Sequence, residues 1–167
     1  AQAAAILDAC AMKIAACGYH CGGVPDWDAL ERKLDALVAD CATDLVVLPE
    51  YAAMDAALAG ARIDLGDIGW RDRAADRAED WVDLFCQLAA RHDCHILAGS
   101  GPARAEGGIV NRSWLVAPSG AVVHQDKLIL TPYERDTLAM VGGDDLRLFA
   151  TALGKIGILV CYDSEFP

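Results

Sequence analysis

Between Asp26 and Cys41 the residues Leu30, Leu34, Leu37, Val38 and Cys41 recur at helical spacing. One face of that segment is therefore apolar, and Asp26 stands where a helix N-cap is wanted. Trp81, Leu84, Phe85, Leu88 and Ala89 repeat the pattern and predict a second amphipathic helix. Shorter apolar runs from Met12 to Cys17, Asp44 to Leu48 and Cys94 to Gly99 read as strands. The run at Asp44 to Leu48 lacks alternation, which predicts burial on both faces. Residues Glu50 to Asp76 are rich in Asp, Gly and Arg and poorly patterned, which predicts loop with one short helix. Farther on, Asn111 to Ala117 and Val122 to Lys127 flank Pro118-Ser119-Gly120, a hairpin signal. Leu146 to Thr151 and Lys155 to Val160 flank Leu153-Gly154 in the same way. Strands alternating with helices and then hairpins predict an α/β sheet, helices on one face and a second sheet on the other.

Composition narrows the class. The chain has 167 residues, enough for one domain with a real core, and 54% of them are hydrophobic, too many for a disordered chain. No uninterrupted apolar stretch reaches membrane-spanning length. A net charge of −11 disfavours nucleic acid, which needs clustered Lys and Arg. The seven cysteines are an odd number without repeated spacing, and Cys17, Cys41 and Cys86 fall inside apolar patterns where a thiol packs as a small hydrophobe. A reduced, cytoplasmic protein is the simpler reading. Residues 1–11 carry Asp8, lack a basic start and are short for a signal peptide, so they read as an N-terminal extension ahead of a domain over 12–167.

Three strand ends carry chemistry. Leu45-Val46-Val47-Leu48-Pro49-Glu50 sets a carboxylate just past one apolar run. Gln125-Asp126-Lys127 is followed by Leu128-Ile129-Leu130-Thr131-Pro132-Tyr133-Glu134-Arg135, which spaces a lysine and a glutamate seven residues apart. Lys155-Ile156-Gly157-Ile158-Leu159-Val160 leads directly into Cys161-Tyr162-Asp163. A sharp turn there lifts a thiol from the core into a cleft. Taken alone, each reads blandly: Cys161 as a packed core thiol, Glu50 as a helix-start carboxylate, Lys127 and Glu134 as a solvated pair.

Together and in this order, the segments resemble the nitrilase superfamily of carbon–nitrogen hydrolases, and the resemblance runs from about Lys13 to the last residue. It implies a four-layer αββα sandwich. Family members continue for roughly another hundred residues past the cysteine, so the chain is expected to hold the first half to two-thirds of that sandwich. The resemblance also implies catalytic roles for Glu50 as proton acceptor, Lys127 as oxyanion partner and Cys161 as nucleophile, with Glu134 orienting the lysine or relaying protons. The backbone N–H of Tyr162 would help to hold the oxyanion. Tyr51, Tyr133 and Tyr162 flank these residues and are candidate pocket walls, with structural packing an equal reading. No cofactor or metal is implied. A dimer-based homo-oligomer is.

Within the family two readings stay open. Tyr162-Asp163 after the cysteine is similar to amide-cleaving members, whereas the Thr-Pro-Tyr-Glu-Arg segment is similar to nitrilases. The cysteine neighbourhood touches the reacting atom, which favours a small amide over a nitrile as substrate. A different class, a non-catalytic fragment or interaction module of the same fold, is the alternative to both. Other features carry less. His92-Asp93-Cys94-His95 and His20-Cys21 lack the paired spacing of a zinc site, and Gly99-Ser100-Gly101 lacks the third glycine of a dinucleotide loop.

Overall fold

The computed structural model describes residues 12–61 and 65–166. The N-terminal extension at 1–11, Cys10 within it, and Pro167 lie outside the described residues. Asp26 takes extended backbone and accepts the Ala29 N–H at 2.8 Å, starting α1 (Trp27–Cys41) as its sequence predicts. Leu30, Leu34 and Val38 form its buried stripe. In α4 (Ala78–His92) the buried residues are Trp81, Leu84, Phe85, Leu88 and Ala89, the same five that mark the sequence pattern. Burying a side chain the size of Leu or Phe contributes about 1.5–3 kcal/mol. These two helices therefore dock firmly on the sheet beneath them.

That sheet has five strands in sequential order: β1 (Ile14–Ala16), β2 (Leu45–Val47), β3 (His95–Ala105), β4 (Gly108–Val116) and β5 (Val122–Asp126). The first three run parallel, with Ile14 beside Leu45 and Leu45 beside His95. β3, β4 and β5 are antiparallel, and the Ala117–Ala121 turn closes the last hairpin around Gly120. Side chains alternate across the sheet. Val46, Ile96, Ala98, Trp114 and Val116 pack against the helices. Leu45 and Leu115 point the other way and meet Ile158 and Val160 in a second core. Phe149 and Ile156, from the small hairpin of β6 (Leu148–Thr151) and β7 (Gly154–Gly157), complete it. Helices, main sheet and second sheet are thus stacked in the order of an αββα arrangement.

Two differences from the sequence pattern bear on the site. Residues 50–76 hold two helices, α2 (Met54–Leu58) and α3 (Gly66–Asp76), where the sequence predicts loop with one. α3 buries only Ala74 and Ala75, so it leaves no apolar periodicity to read. β3 also runs on past Gly99 to Ala105, with an irregularity in its pairing between Leu97 and Ser100. The segment after β1 is anchored by buried Asp55 of α2, which accepts the Tyr19 hydroxyl at 2.5 Å, the Lys33 ammonium at 2.7 Å and the Gly22 N–H.

Candidate active site

The irregularity in β3 explains how Glu50 is placed. At Gly99 the backbone has φ +67°, and a Cβ there would stand 2.3 Å from the Pro49 carbonyl oxygen. Only glycine lets β3 approach the turn that carries Glu50 so closely. Ser100 then fastens the turn: its Oγ accepts the Tyr51 N–H at 3.2 Å, and its carbonyl accepts the Ala53 N–H at 3.2 Å. Gly99-Ser100-Gly101 is therefore a seat for the Glu50 turn. Tyr51 itself is held in left-handed backbone, φ 59°.

Lys127 follows β5 directly and continues its pairing, its N–H donating to the Asn111 carbonyl at 2.8 Å. Its side chain is fully buried, an exceptional place for lysine unless it is paired. Two carboxylates pair with it. The ammonium lies 2.7 Å from Glu50 Oε1 and 2.8 Å from Glu134 Oε2. Glu134 is held in a one-turn π-helix, Tyr133–Thr137, and is fully buried. Its Oε2 also accepts the Thr131 N–H at 2.8 Å and hydroxyl at 2.9 Å, while Oε1 accepts the Tyr51 hydroxyl at 2.6 Å and Asn111 Nδ2 at 2.9 Å. Asn111 Nδ2 also reaches Glu50 Oε1 at 3.0 Å.

These contacts set the charges. Burial alone would raise the pKa of Glu134, but the hydrogen bonds from Lys127, Tyr51, Thr131 and Asn111 outweigh it and bring it down to about 2. Burial opposes the charged form of Lys127 too, yet its bonds to Glu134 and Glu50 raise its pKa. The lysine is a fixed cation between two anions. Burial first, and then its bond to Glu134, push the Tyr51 phenol far above its usual value, so it stays a donor.

Cys161 is exposed, at φ 48°, the first residue of a 3₁₀ turn that runs to Glu165. Left-handed backbone is unfavourable for a residue with a Cβ and persists only where the surroundings hold it. Asp163 does the holding: its Oδ2 accepts the Val160 N–H at 3.0 Å, and its Oδ1 accepts the N–H groups of Leu128 at 3.1 Å and Ile129 at 2.8 Å. The thiol turn is thereby fastened to the chain that leaves Lys127. Hydrogen bonding to Glu50 is the largest influence on the thiol and raises its pKa; burial and the Glu50 charge act in the same direction, and Lys127 opposes them. A cleft of about 210 Å³ opens beside Cys161, bordered by Glu50, Gly99, Ser113, Leu159 and Val160.

The four residues singled out for chemistry thus lie together. The tyrosines divide. Tyr51 joins the carboxylate network instead of forming a wall. Tyr133 is 45% exposed and bonds to Asp67 and Trp70, toward α3. Tyr162 is half-buried and stacks edge-on against Phe166 at 5.0 Å. His92 sits in the last turn of α4 and meets Asp35 at 2.8 Å, and His95 is a buried strand residue. Sequence reasoning missed Asn111, read only as the start of a strand, and the tethering role of Asp163. A polar residue inside the apolar β4 run was the available signal for Asn111.

Known proteins share this arrangement of elements. The chain is 40% identical over 95 residues to the probable hydrolase YhcX of Bacillus subtilis, a match covering 57% of this chain and 18% of YhcX. It is 30% identical over 138 residues to the omega-amidase YafV of Escherichia coli K12, covering 82% of this chain and 48% of YafV. The chain thus spans under half the length of either relative. Its structure superposes on XC1258 of Xanthomonas campestris, a CN-hydrolase superfamily protein whose active site carries an arsenic adduct. The TM-score there is 0.66 at 28% identity, over 88% of this chain and 52% of XC1258. The family model for carbon-nitrogen hydrolases matches residues 9–167, nearly the full sequence, and the chain belongs to that family.

Proposed function

We propose that this protein hydrolyses the carbon–nitrogen bond of a small amide, with Cys161 as nucleophile and Glu50, Lys127 and Glu134 as its partners. The observation that carries the proposal is the buried Lys127 ammonium held between two carboxylates, one of which also governs the thiol. An amide carbonyl is a poor electrophile and needs an activated nucleophile, charge stabilisation on oxygen and a proton for the leaving amine. Glu50 takes the Cys161 proton as sulfur attacks the carbonyl carbon. Lys127, already charged and unable to reorganise, donates to the oxygen as negative charge develops, helped by the Tyr162 N–H. Collapse breaks the C–N bond, and Glu50 returns the proton to the departing amine. Water then adds to the thioester with Glu50 as base, and the acid leaves as the thiol is restored. Glu134 keeps Lys127 charged and in place throughout.

The reading of amide over nitrile rests on Tyr162-Asp163 and is supported by the omega-amidase name of YafV. A matched acyl series tests it: amides are expected to show higher kcat/KM than the corresponding nitriles, and the reverse order would overturn the assignment. We extend the proposal to a reducing, cytoplasmic setting, from the odd number of cysteines and their lack of repeated spacing. No helix among the described residues is long and apolar enough to cross a membrane. We extend the proposal to a homo-oligomer built on a dimer, as the resemblance implies; sedimentation as a monomer at micromolar concentration would contradict it.

A further inference from the structure

Asn111 is fully buried in β4, in a strand whose neighbours Val110, Ser113 and Trp114 are also buried. Its two ends are treated differently. Nδ2 donates to Glu50 Oε1 at 3.0 Å and to Glu134 Oε1 at 2.9 Å. Oδ1 is buried without a hydrogen-bond partner among the described residues. The orientation is fixed by chemistry, because ionised carboxylates only accept and the amide must turn its nitrogen to both. Buried polar atoms are nearly always paired, and an unpaired one costs the fold stability. An amide kept for packing would have both ends met. Here the acceptor end is left bare while the donor end spans two carboxylates.

We infer that Asn111 is a positioning residue for Glu50, holding one carboxylate oxygen so that the other faces the thiol. Glu50 Oε1 already receives Lys127 at 2.7 Å, and Asn111 reaches the same atom from β4. Two donors, one from β4 and one from the segment just past β5, fix the plane of the carboxyl group. Oε2 is left as the oxygen that exchanges the proton with Cys161 and the leaving amine. The same nitrogen bridges to Glu134, so the two carboxylates flanking Lys127 are held at a set separation. The catalytic part of this role rests on the amide-hydrolysis reading; the hydrogen-bonding part does not.

A donor to the ionised form favours ionisation, so losing it must raise the proton affinity of Glu134, and it frees Glu50 Oε1 to rotate. The test is an NMR titration of the protein with its glutamate side-chain carboxyl carbons isotopically labelled, Glu50→Gln and Glu134→Gln assigning the two signals. In Asn111→Leu the Glu134 signal is expected to titrate at higher pH than in the wild type, and the Glu50 signal to change its chemical shift as the bond to Oε1 is lost. In parallel, kcat should fall with KM unchanged, because the proton acceptor is no longer held in one orientation. If Asn111→Leu does not fold, Asn111→Ser, which keeps one shorter donor, should show a smaller shift in the same direction. Titrations superimposable on the wild type in a folded variant would overturn the inference. A wild type that turns over no amide while the NMR shifts appear would sink the hydrolysis reading and leave the role of Asn111 standing.

Discussion

Asp163 accepts the backbone N–H of Ile129 at 2.8 Å, which ties the turn bearing Cys161 to the segment leaving Lys127. The carboxylate is buried and its other oxygen holds Val160, so one side chain fixes the thiol turn on two sides. The proposed nucleophile and its proposed oxyanion partner come from separate segments of the chain, and this contact ties those segments together.

Asp163→Ala should therefore cost both activity and stability. Leaving buried N–H groups unmet costs about 1–3 kcal/mol each, and a shift of the thiol by about 1 Å is worth on the order of a hundredfold in kcat. Asp163→Asn should be intermediate, because one of its two terminal atoms can still accept. Chemical denaturation alongside amide turnover checks both effects. Full activity in Asp163→Ala would show that the thiol turn holds its shape without the tether.

Lys127 and its carboxylates yield a second expectation. Lys127→Met leaves Glu134 buried with its ionic partner gone, which should destabilise the protein by about 3–5 kcal/mol. Adding Glu134→Gln should recover most of that stability and none of the activity. Glu134 also sets an acid limit. Its folded pKa, about 2, lies below the ordinary value of 4.5, so its stabilisation is complete above pH 4.5 and is lost as pH falls toward 2. That swing is worth roughly 3 kcal/mol and should be absent in Glu134→Gln. Urea unfolding across this pH range measures it; parallel curves for wild type and variant would contradict it.

Gly99→Ala tests how the fold places Glu50. The added Cβ would meet the Pro49 carbonyl and the Ala52 side chain, and the positive φ adds backbone strain. The Glu50 turn must move, so kcat should fall by at least tenfold while secondary structure is kept, with a stability loss on the order of 1–3 kcal/mol. Unchanged kinetics in Gly99→Ala would mean the turn is placed by other contacts.

Much of this was legible in the sequence, for physical reasons that can be named. α1 and α4 are written as apolar stripes because each buries one face, and Asp26 advertises the start of the first. α3 could not be read, since a helix that buries two alanines has no stripe. Glu50, Lys127, Glu134 and Cys161 stood out by their order along strand ends. Asn111 did not, because its meaning lies in two carboxylates 61 and 23 residues away. Tyr133 was nominated by adjacency in sequence, but its place at the start of the π-helical turn points it toward α3 while Glu134 turns inward. The apolar run before Cys161 reads as strand to Val160, whereas β7 ends at Gly157 and the chain reaches the thiol in irregular backbone.

The central claim is that Cys161 forms the covalent bond to substrate. It is exposed, whereas Cys94 is buried and Cys17, Cys41 and Cys86 pack against the main core. The hydrogen bond to Glu50 raises the thiol pKa, so alkylation should be steady, slower than that of a free thiolate. The direct measurement is titration with iodoacetamide, following labelled peptides by mass spectrometry and amide turnover in the same samples. The fraction of activity lost should equal the fraction of Cys161 labelled, and Cys161→Ala should be inactive while folded. Turnover that survives complete labelling of Cys161, or persists in Cys161→Ala, would contradict the account.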